Sequence, residues 1–470
     1  MTVRDAIQQV KGFRYMTEQL NLCSSLGRRI LYEMCWLNTE EEIAAELERV
    51  TEVVRVMSTA EGKSLVEKLG CLLMQVRDIR GTVKHAGEHT VLDDLELFEL
   101  KSFVLLAEEM RMLTEEWKCV EIPDVGRVVE LLDPEGVRIP HFYIYDCYSA
   151  ELAALRAELK LKKQQGADEQ ETERLYLRCV ELEDGVREHL SEQLRGEADA
   201  LREALVQVGR LDILAAKAEQ AVAMHLSRPG FGQDKTILRG LFNPQLDAAL
   251  QEKGKRFQPV DITLLPEATL ITGANMAGKT VLLKSVALAQ CLLQFGFYVP
   301  AVEAVMVLVD EIQTSIGDEQ DELSGLSSFA AEMLRINEIV ERVKAGKRVL
   351  VLIDELARTT NPLEGRAIVN GVVGFLTEYR AMSLVTTHYS GIVAPCRKLR
   401  VKGFVEEKIE GQVTWKNIND FIDYSLEEDQ GGEVPHEALR IAALLGVDKM
   451  LLERAEESLE WGVKIVIDIQ

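Results

Sequence analysis

Along the first 230 residues, apolar side chains recur at intervals of three and four with few glycines or prolines, a spacing that predicts a mainly helical region. One stretch, "IPDVGRVVELLDPEGVRIPHFYIYD" at 122–146, interrupts the pattern with three prolines and two glycines, and "HFYIY" within it predicts a short strand. Beyond it, "SAELAALRAELKLKK" and the long run from "ETERLYLR" to "AVAMHL" predict two long helices separated by the polar "QQGADEQ". Such a pair forms a helical hairpin projecting from the body.

From about residue 235 the period changes. "DITLL", "ATLIT", "RVLVLID" and "SLVTT" are short β-branched runs that alternate with helical stretches such as "VLLKSVALAQCLLQFG" and "SSFAAEMLRINEIVERV". This alternation predicts an α/β domain with a mainly parallel central sheet. "PHEALRIAALLG" and "VDKMLLERAEESLEW" return to helical spacing at the end.

Composition narrows the picture. Hydrophobic residues make up 47% of the 470 and charged residues 28%, ordinary values for a globular chain. No apolar run reaches the roughly 18 residues of a membrane span, and the N-terminal stretch reads as an amphipathic helix and not a secretory signal, so a cytoplasmic location is expected. The eight cysteines are scattered singly, which predicts reduced, buried thiols. A formal net charge of −24 repels nucleic acid on average, so DNA binding would require a local basic patch. Residues 151–210 do not supply it: ten basic residues face fourteen acidic ones, and Lys160, Lys162 and Lys163 form only a small cluster near the hairpin tip.

The chemistry begins at "LITGANMAGKTVLLKSVAL", residues 270–288, where Gly273, Gly278, Lys279 and Thr280 fit the phosphate-loop pattern. Glycines let the backbone close around phosphate oxygens, and the following helix offers its positive end to the anion. Lys279 is expected at the β- and γ-phosphates and the Thr280 hydroxyl on Mg²⁺; a glycine-containing strand-to-helix turn is the plain alternative. Downstream, Asp354 and Glu355 follow the apolar "RVLVLI". An acid pair at the end of a buried strand costs desolvation energy unless a cation compensates it, so Asp354 suits the Mg²⁺ carboxylate and Glu355 the base that orients water, although helix capping would also employ them. His388 closes "SLVTTHY", where a neutral imidazole could meet the γ-phosphate or be merely structural. Ser327 and Ser328 open a helix and by themselves signal an N-cap.

Taken together and in order, "TGANMAGKT", "FGFYVPA", "SSFAAEM", "DEL" with "TTNPLEG", and "TTHY" resemble the MutS family, ABC-type ATPases related to the DNA mismatch-repair proteins. "GKTVLLKSVAL", "IGDEQ" and "LSSF" are more similar to the second bacterial branch, associated with recombination control and ribosome rescue. The resemblance extends upstream through "VLDDLELFELKSF" and "FYIYDCYSAELAALR". It implies an ABC-type P-loop ATPase domain preceded by a mainly helical core and lever domain: core 1–150, lever hairpin 151–230, ATPase 231–425, and a C-terminal helical dimerisation segment 426–470. ATP and Mg²⁺ follow as cofactors. Gly273, Ala274, Asn275, Met276, Ala277, Gly278, Lys279, Thr280 and Val281 are then the nucleotide-binding loop, with Asn275 at the γ-phosphate. Ser327 reaches the site of a second subunit, which makes the protein a homodimer with two composite sites, and Phe257 falls where the family often contacts adenine.

Departures from the family pattern also matter. Mismatch-reading, clamp and nuclease domains are not expected in this chain; its Phe404-Val405-Glu406 reads as a strand residue beside an exposed acid. Ala274, Ala277 and Ala357 stand where Pro, Gly and Gly are usual, substitutions that fit if φ is negative there. Three functions compete: a DNA-acting ATPase on branched or damaged duplex, an ATP-driven protein remodeller similar to those serving cobalamin-dependent aminomutases, and a regulatory ATP-binding module with negligible turnover.

Overall fold

The computed structural model describes residues 1–273, 278–317, 328–405, 417–429 and 437–467. The helical reading of the N-terminal region holds. Helices at Glu40–Val56 and Asp94–Leu113 start at Thr39 and Asp93, whose side chains accept the Glu42 and Glu96 amides while those glutamates reach back, closing capping boxes. A short helix, Gly126–Leu132, lies inside the Pro- and Gly-containing interruption, where none was expected. "HFYIY" is not a strand: residues 141–145 form only local backbone bonds, His141 to Ile139 and Tyr148 to Tyr145, and their rings pack together, Tyr143 against Tyr145 at 4.1 Å and Phe142 against Tyr145 at 6.4 Å. The alternation that suggested a strand instead sends Phe142 and Ile144 into the core.

The hairpin has a different composition from the predicted one. Its first arm is Ala150–Gln164, but the second long run is two helices, Glu169–Arg195 and Ala198–Ala223, broken at Gly196 and Glu197. The break separates two environments. Glu169–Arg195 is polar and is tied to the first arm by ion pairs such as Arg156–Glu183 (2.7 Å) and Lys162–Glu171 (2.7 Å). Ala198–Ala223 is buried along most of its length between Ser25–Glu33, Glu40–Val56 and Arg80–Ala86. A single straight helix could not serve both.

The ten strands are β1 (Gly230–Phe231), β2 (Thr236–Leu241), β3 (Val260–Leu264), β4 (Ala268–Thr272), β5 (Glu303–Met306), β6 (Glu311–Ser315), β7 (Val349–Ile353), β8 (Ser383–Thr386), β9 (Arg397–Phe404) and β10 (Ile422–Glu428). They make a four-stranded sheet in the order β1-β5-β2-β3, not anticipated from the sequence, and a six-stranded sheet in the order β10-β9-β4-β8-β7-β6. In the larger sheet every pairing is parallel except β10 with β9, as the alternation of strand and helix predicted. Every residue of β7 is buried, which is why it reads as an unbroken apolar run.

Parallel alignment brings the ends of β4, β7 and β8 to one edge, with Ile271 beside Thr386 and Ile353 beside Val385. Helix Lys279–Gln294 leaves that edge, and its far end enters the helical region. There Phe13 stacks on Phe295 at 5.2 Å, and the fully buried Lys217 ammonium donates to Glu46 (2.8 Å) and to the carbonyls of Phe295 (2.8 Å) and Gly296 (3.2 Å). A cation at these orphan carbonyls satisfies the helix end and complements its dipole. One hydrophobic cluster accordingly runs from Val3 through the helices into the sheet. All eight cysteines are unpaired, as expected; Cys119, Cys179 and Cys291 are buried, but Cys35, Cys71 and Cys147 are exposed on the helical region. No helix among the described residues is long and apolar enough to cross a membrane.

Candidate functional site

Among the described residues, Gly273, Gly278, Lys279, Thr280, Asp354, Glu355 and His388 lie at the carboxyl edge of the six-stranded sheet. Gly273 follows β4 at φ 138°, and Gly278 caps helix Lys279–Gln294 at φ 72°. Both angles lie where a Cβ is strained, so glycine is required at the two ends of the loop. Between them, Ala274, Asn275, Met276 and Ala277 lie outside the described residues, as does Ser327. Lys279 is buried with its ammonium 2.6 Å from the Gly273 carbonyl, which folds the side chain back across the loop mouth.

Asp354 follows β7, and both of its oxygens are occupied by hydroxyls. Thr280 donates to Oδ2 at 2.6 Å and Thr386 donates to Oδ1 at 2.7 Å, while the Asp354 amide donates to the Ser315 carbonyl of β6 at 2.8 Å. Thr386 also accepts the Glu355 amide at 2.8 Å. Three consecutive parallel strands, β8, β7 and β6, and the first turn of helix Lys279–Gln294 thus contribute to one hydrogen-bonded line. Thr280 and Asp354 are adjacent hard oxygen donors, the chemistry a magnesium ion takes when it is bound by one carboxylate, one hydroxyl, phosphate oxygens and water. The donor set fits that ion, and such a site needs no cluster of His, Cys or acidic ligands; none of three or more occurs among the described residues.

Glu355 and Ala357 both occupy the left-handed region, at φ 48° and 60°. The condition under which Ala was expected to fit at 357 is therefore not met there; for L-residues this conformation costs about 1–2 kcal/mol each. Leu356 between them is fully buried, and the turn is tied down by surrounding side chains. The Glu355 carboxylate, partly exposed, pairs with Arg358 at 3.0 Å. The His388 ring lies tilted against Tyr389 with centroids 4.1 Å apart. Burial lowers its pKa from the ordinary 6.5; Glu355 opposes this, and the charges of Lys279 and Arg358 add to it. The shift favours the neutral imidazole.

Beside the loop lies a cavity of about 740 Å³, within the range of small-molecule sites. Phe257, Gln258, Gly278, Lys279, Val281 and Tyr424 are among its lining residues, so it is continuous with the phosphate loop and includes the aromatic expected near a base. Gln258 donates to Asp423 at 2.7 Å and its oxygen accepts the Tyr424 amide at 3.3 Å, binding β10 to the cavity wall. Thr386, Arg358, Tyr424 and the cavity-forming β10 were missed in the sequence. "TTHY" contains Thr386, but nothing in the string indicates which threonine meets the acid.

The MutS domain V profile, the family's ATPase domain, matches residues 269–461. The chain is 38% identical over 226 residues to the DNA mismatch repair protein MutS of Thermus thermophilus, covering 48% of this chain and 27% of that protein. It is 32% identical over 289 residues to the MutS of Chloroflexus aurantiacus, covering 59% and 28%. With the endonuclease MutS2 of Thermus thermophilus it shares 37% identity over 211 residues, covering 44% and 26%. The chain thus spans little more than a quarter of the length of these relatives. The part of the chain that carries the phosphate loop, the acid pair and His388 is similar to the ATPase domain of MutS proteins.

Proposed function

We propose that this protein hydrolyses ATP with Mg²⁺ as a MutS-type homodimer and uses the cycle to move its lever hairpin against a partner, foremost DNA in a branched or damaged form. The observation that supports the reading best is the line Thr280–Asp354–Thr386–Glu355 at the mouth of a loop closed by Lys279. In this reading Lys279 and the loop, including Asn275, bind the phosphates, and the base enters the cavity beside Phe257. Thr280 and Asp354 hold Mg²⁺, which would neutralise charge on the transferred phosphoryl group. Glu355 orients the attacking water, neutral His388 donates toward the γ-phosphate, and Ser327 completes the site of the other subunit. The division into core 1–150, lever 151–230, ATPase 231–425 and dimerisation segment 426–470 belongs to the same proposal.

A second reading, protein remodelling without DNA, is favoured by one specific observation. Basic groups of the hairpin are engaged by its own acids, Lys162 with Glu171 and Arg156 with Glu183 and Asp146, on a chain of net charge −24. Glu355→Gln tests the chemistry: nucleotide binding is retained and turnover abolished, and surviving hydrolysis would remove Glu355 as the base. ATPase rate with and without branched DNA over a salt series tests the target. Stimulation that fades as salt rises supports DNA; indifference to every DNA form at low salt supports the protein partner.

A further inference from the structure

The peptide unit on each side of Ala357 is held by a side chain, each from a different direction. From helix Ser328–Lys344, Glu332 accepts the Ala357 amide at 3.1 Å. From the segment after β8, the Tyr389 hydroxyl donates to the Ala357 carbonyl at 2.7 Å. Tyr389 is itself buried and pinned, with its amide donating to Thr387 at 3.1 Å. Room for its hydroxyl exists only because residue 365 is glycine: a Cβ there would lie 2.4 Å from that oxygen. Two residues before Ala357, Glu355 is itself left-handed, so the backbone that aims its carboxylate depends on the same turn.

Neither left-handed residue is glycine, and without outside ties this turn would relax toward negative φ and swing the Glu355 side chain away. Thr386 holds the Glu355 amide, but that bond lies before the strained turn. The amide and carbonyl of Ala357 flank its own left-handed φ; the Leu356 amide also donates to the Thr386 carbonyl at 3.4 Å and the Thr360 amide to the Ala357 carbonyl at 3.3 Å, so Glu332 and Tyr389 are the side-chain ties on Ala357. We propose that Glu332 and Tyr389 are positioning residues that clamp Ala357 in its left-handed form, and that Glu332 transmits the position of helix Ser328–Lys344 to the Glu355 carboxylate. Glu332 sits one helical turn beyond Ser328, on a helix whose N-terminal end adjoins Ser327. A shift of that helix on contact with a second subunit would change the Glu332 bond and thereby the aim of Glu355. The catalytic part of the inference rests on the reading of Glu355 as the base; the clamp itself does not.

The test compares Glu332→Ala, Glu332→Gln and Tyr389→Phe, each alone and combined with Ala357→Gly. Three quantities are read: kcat for Mg-ATP, affinity for a fluorescent ATP analogue, and hydrogen exchange of the amides at 355–358. Loss of one hydrogen bond to the strained turn lowers kcat about tenfold with analogue affinity unchanged, and speeds local exchange by a similar factor. Glu332→Gln, whose amide oxygen can accept the same bond, retains most of the activity. Ala357→Gly, which holds the left-handed form without a Cβ penalty, restores kcat in Glu332→Ala and Tyr389→Phe. A purely structural role for the two side chains would not be rescued at 357. Unchanged exchange at 355–358 in both Glu332→Ala and Tyr389→Phe, or absence of rescue by Ala357→Gly, overturns the clamp. Glu355→Gln separates the two ideas: if it still hydrolyses ATP the base assignment falls, while the exchange data decide the clamp regardless.

Discussion

Lys217→Met removes the ammonium that joins the phosphate-loop helix to the helical region while keeping the volume of the stem. The Phe295 and Gly296 carbonyls lose their donor, and Glu46 keeps only Arg49 at 3.2 Å and Arg210 at 3.5 Å. Removing one partner of a buried ion pair costs about 3–5 kcal/mol. The two remaining arginines still compensate the Glu46 carboxylate, which sets the expected loss at the low end, about 3 kcal/mol. Burial pushes the Glu46 carboxyl up, but Lys217, Arg210 and Arg49 outweigh it and hold it below its ordinary 4.5. The folded carboxyl thus binds a proton less readily than the unfolded one. Its contribution is complete above pH about 4.5 and is lost as pH falls through the depressed value. Urea denaturation followed by tryptophan fluorescence measures the effect where it occurs, since Trp36 stands edge-on to Phe295 at 5.6 Å. Glu46→Gln combined with Lys217→Met should cost less than the sum of the two singles, because neither the buried ammonium nor the buried carboxylate is left without the other. A loss below about 1 kcal/mol in Lys217→Met, or strict additivity in the double variant, would refute the reasoning.

For His388, the lowered pKa places the acid limb of the kcat profile below pH 6.5, and His388→Gln should abolish that limb; a limb above 6.5 contradicts the neutral-imidazole assignment. Because the folded imidazole takes up a proton less readily than the unfolded one, its share of stability is fully present above pH about 6.5 and declines as pH falls through the folded value. Gly365→Ala sets a methyl group 2.4 Å from the Tyr389 hydroxyl, which costs about 1–3 kcal/mol of overpacking and breaks the bond to Ala357. Thermal melting and ATPase assays should show it behaving like Tyr389→Phe, and an unaltered kcat would show that Tyr389 plays no part in aiming Glu355. Thr386→Val keeps the shape but removes the hydroxyl shared by Asp354 and the Glu355 amide, and should depress turnover more than affinity for the ATP analogue, with equal losses in both counting against it.

By itself the sequence determined the elements whose cause is local. Three apolar runs of the parallel sheet, "ATLIT", "RVLVLI" and "SLVTT", the glycine-bounded turn into Lys279 and the acid pair each carry their reason within a few residues: burial on both faces, φ angles closed to side chains, and a charge that must be compensated; "DITLL" was legible as a strand, but it joins the smaller sheet, antiparallel to β2. The same holds for the capping boxes at Thr39 and Asp93. What only the tertiary structure decided depends on partners far along the chain. "HFYIY" lost its strand because no other strand lies beside it, and the long run after "QQGADEQ" broke at Gly196 because its two parts meet different neighbours. The left-handed Ala357 bonds to Glu332, 25 residues earlier, and to Tyr389, 32 residues later. Lys217 finds Glu46 across 171 residues. Local pattern determines which backbone forms and which side chains carry charge, but the placement of an ionic or hydrogen-bonding partner is a property of packing, and packing is where this site acquires its aim.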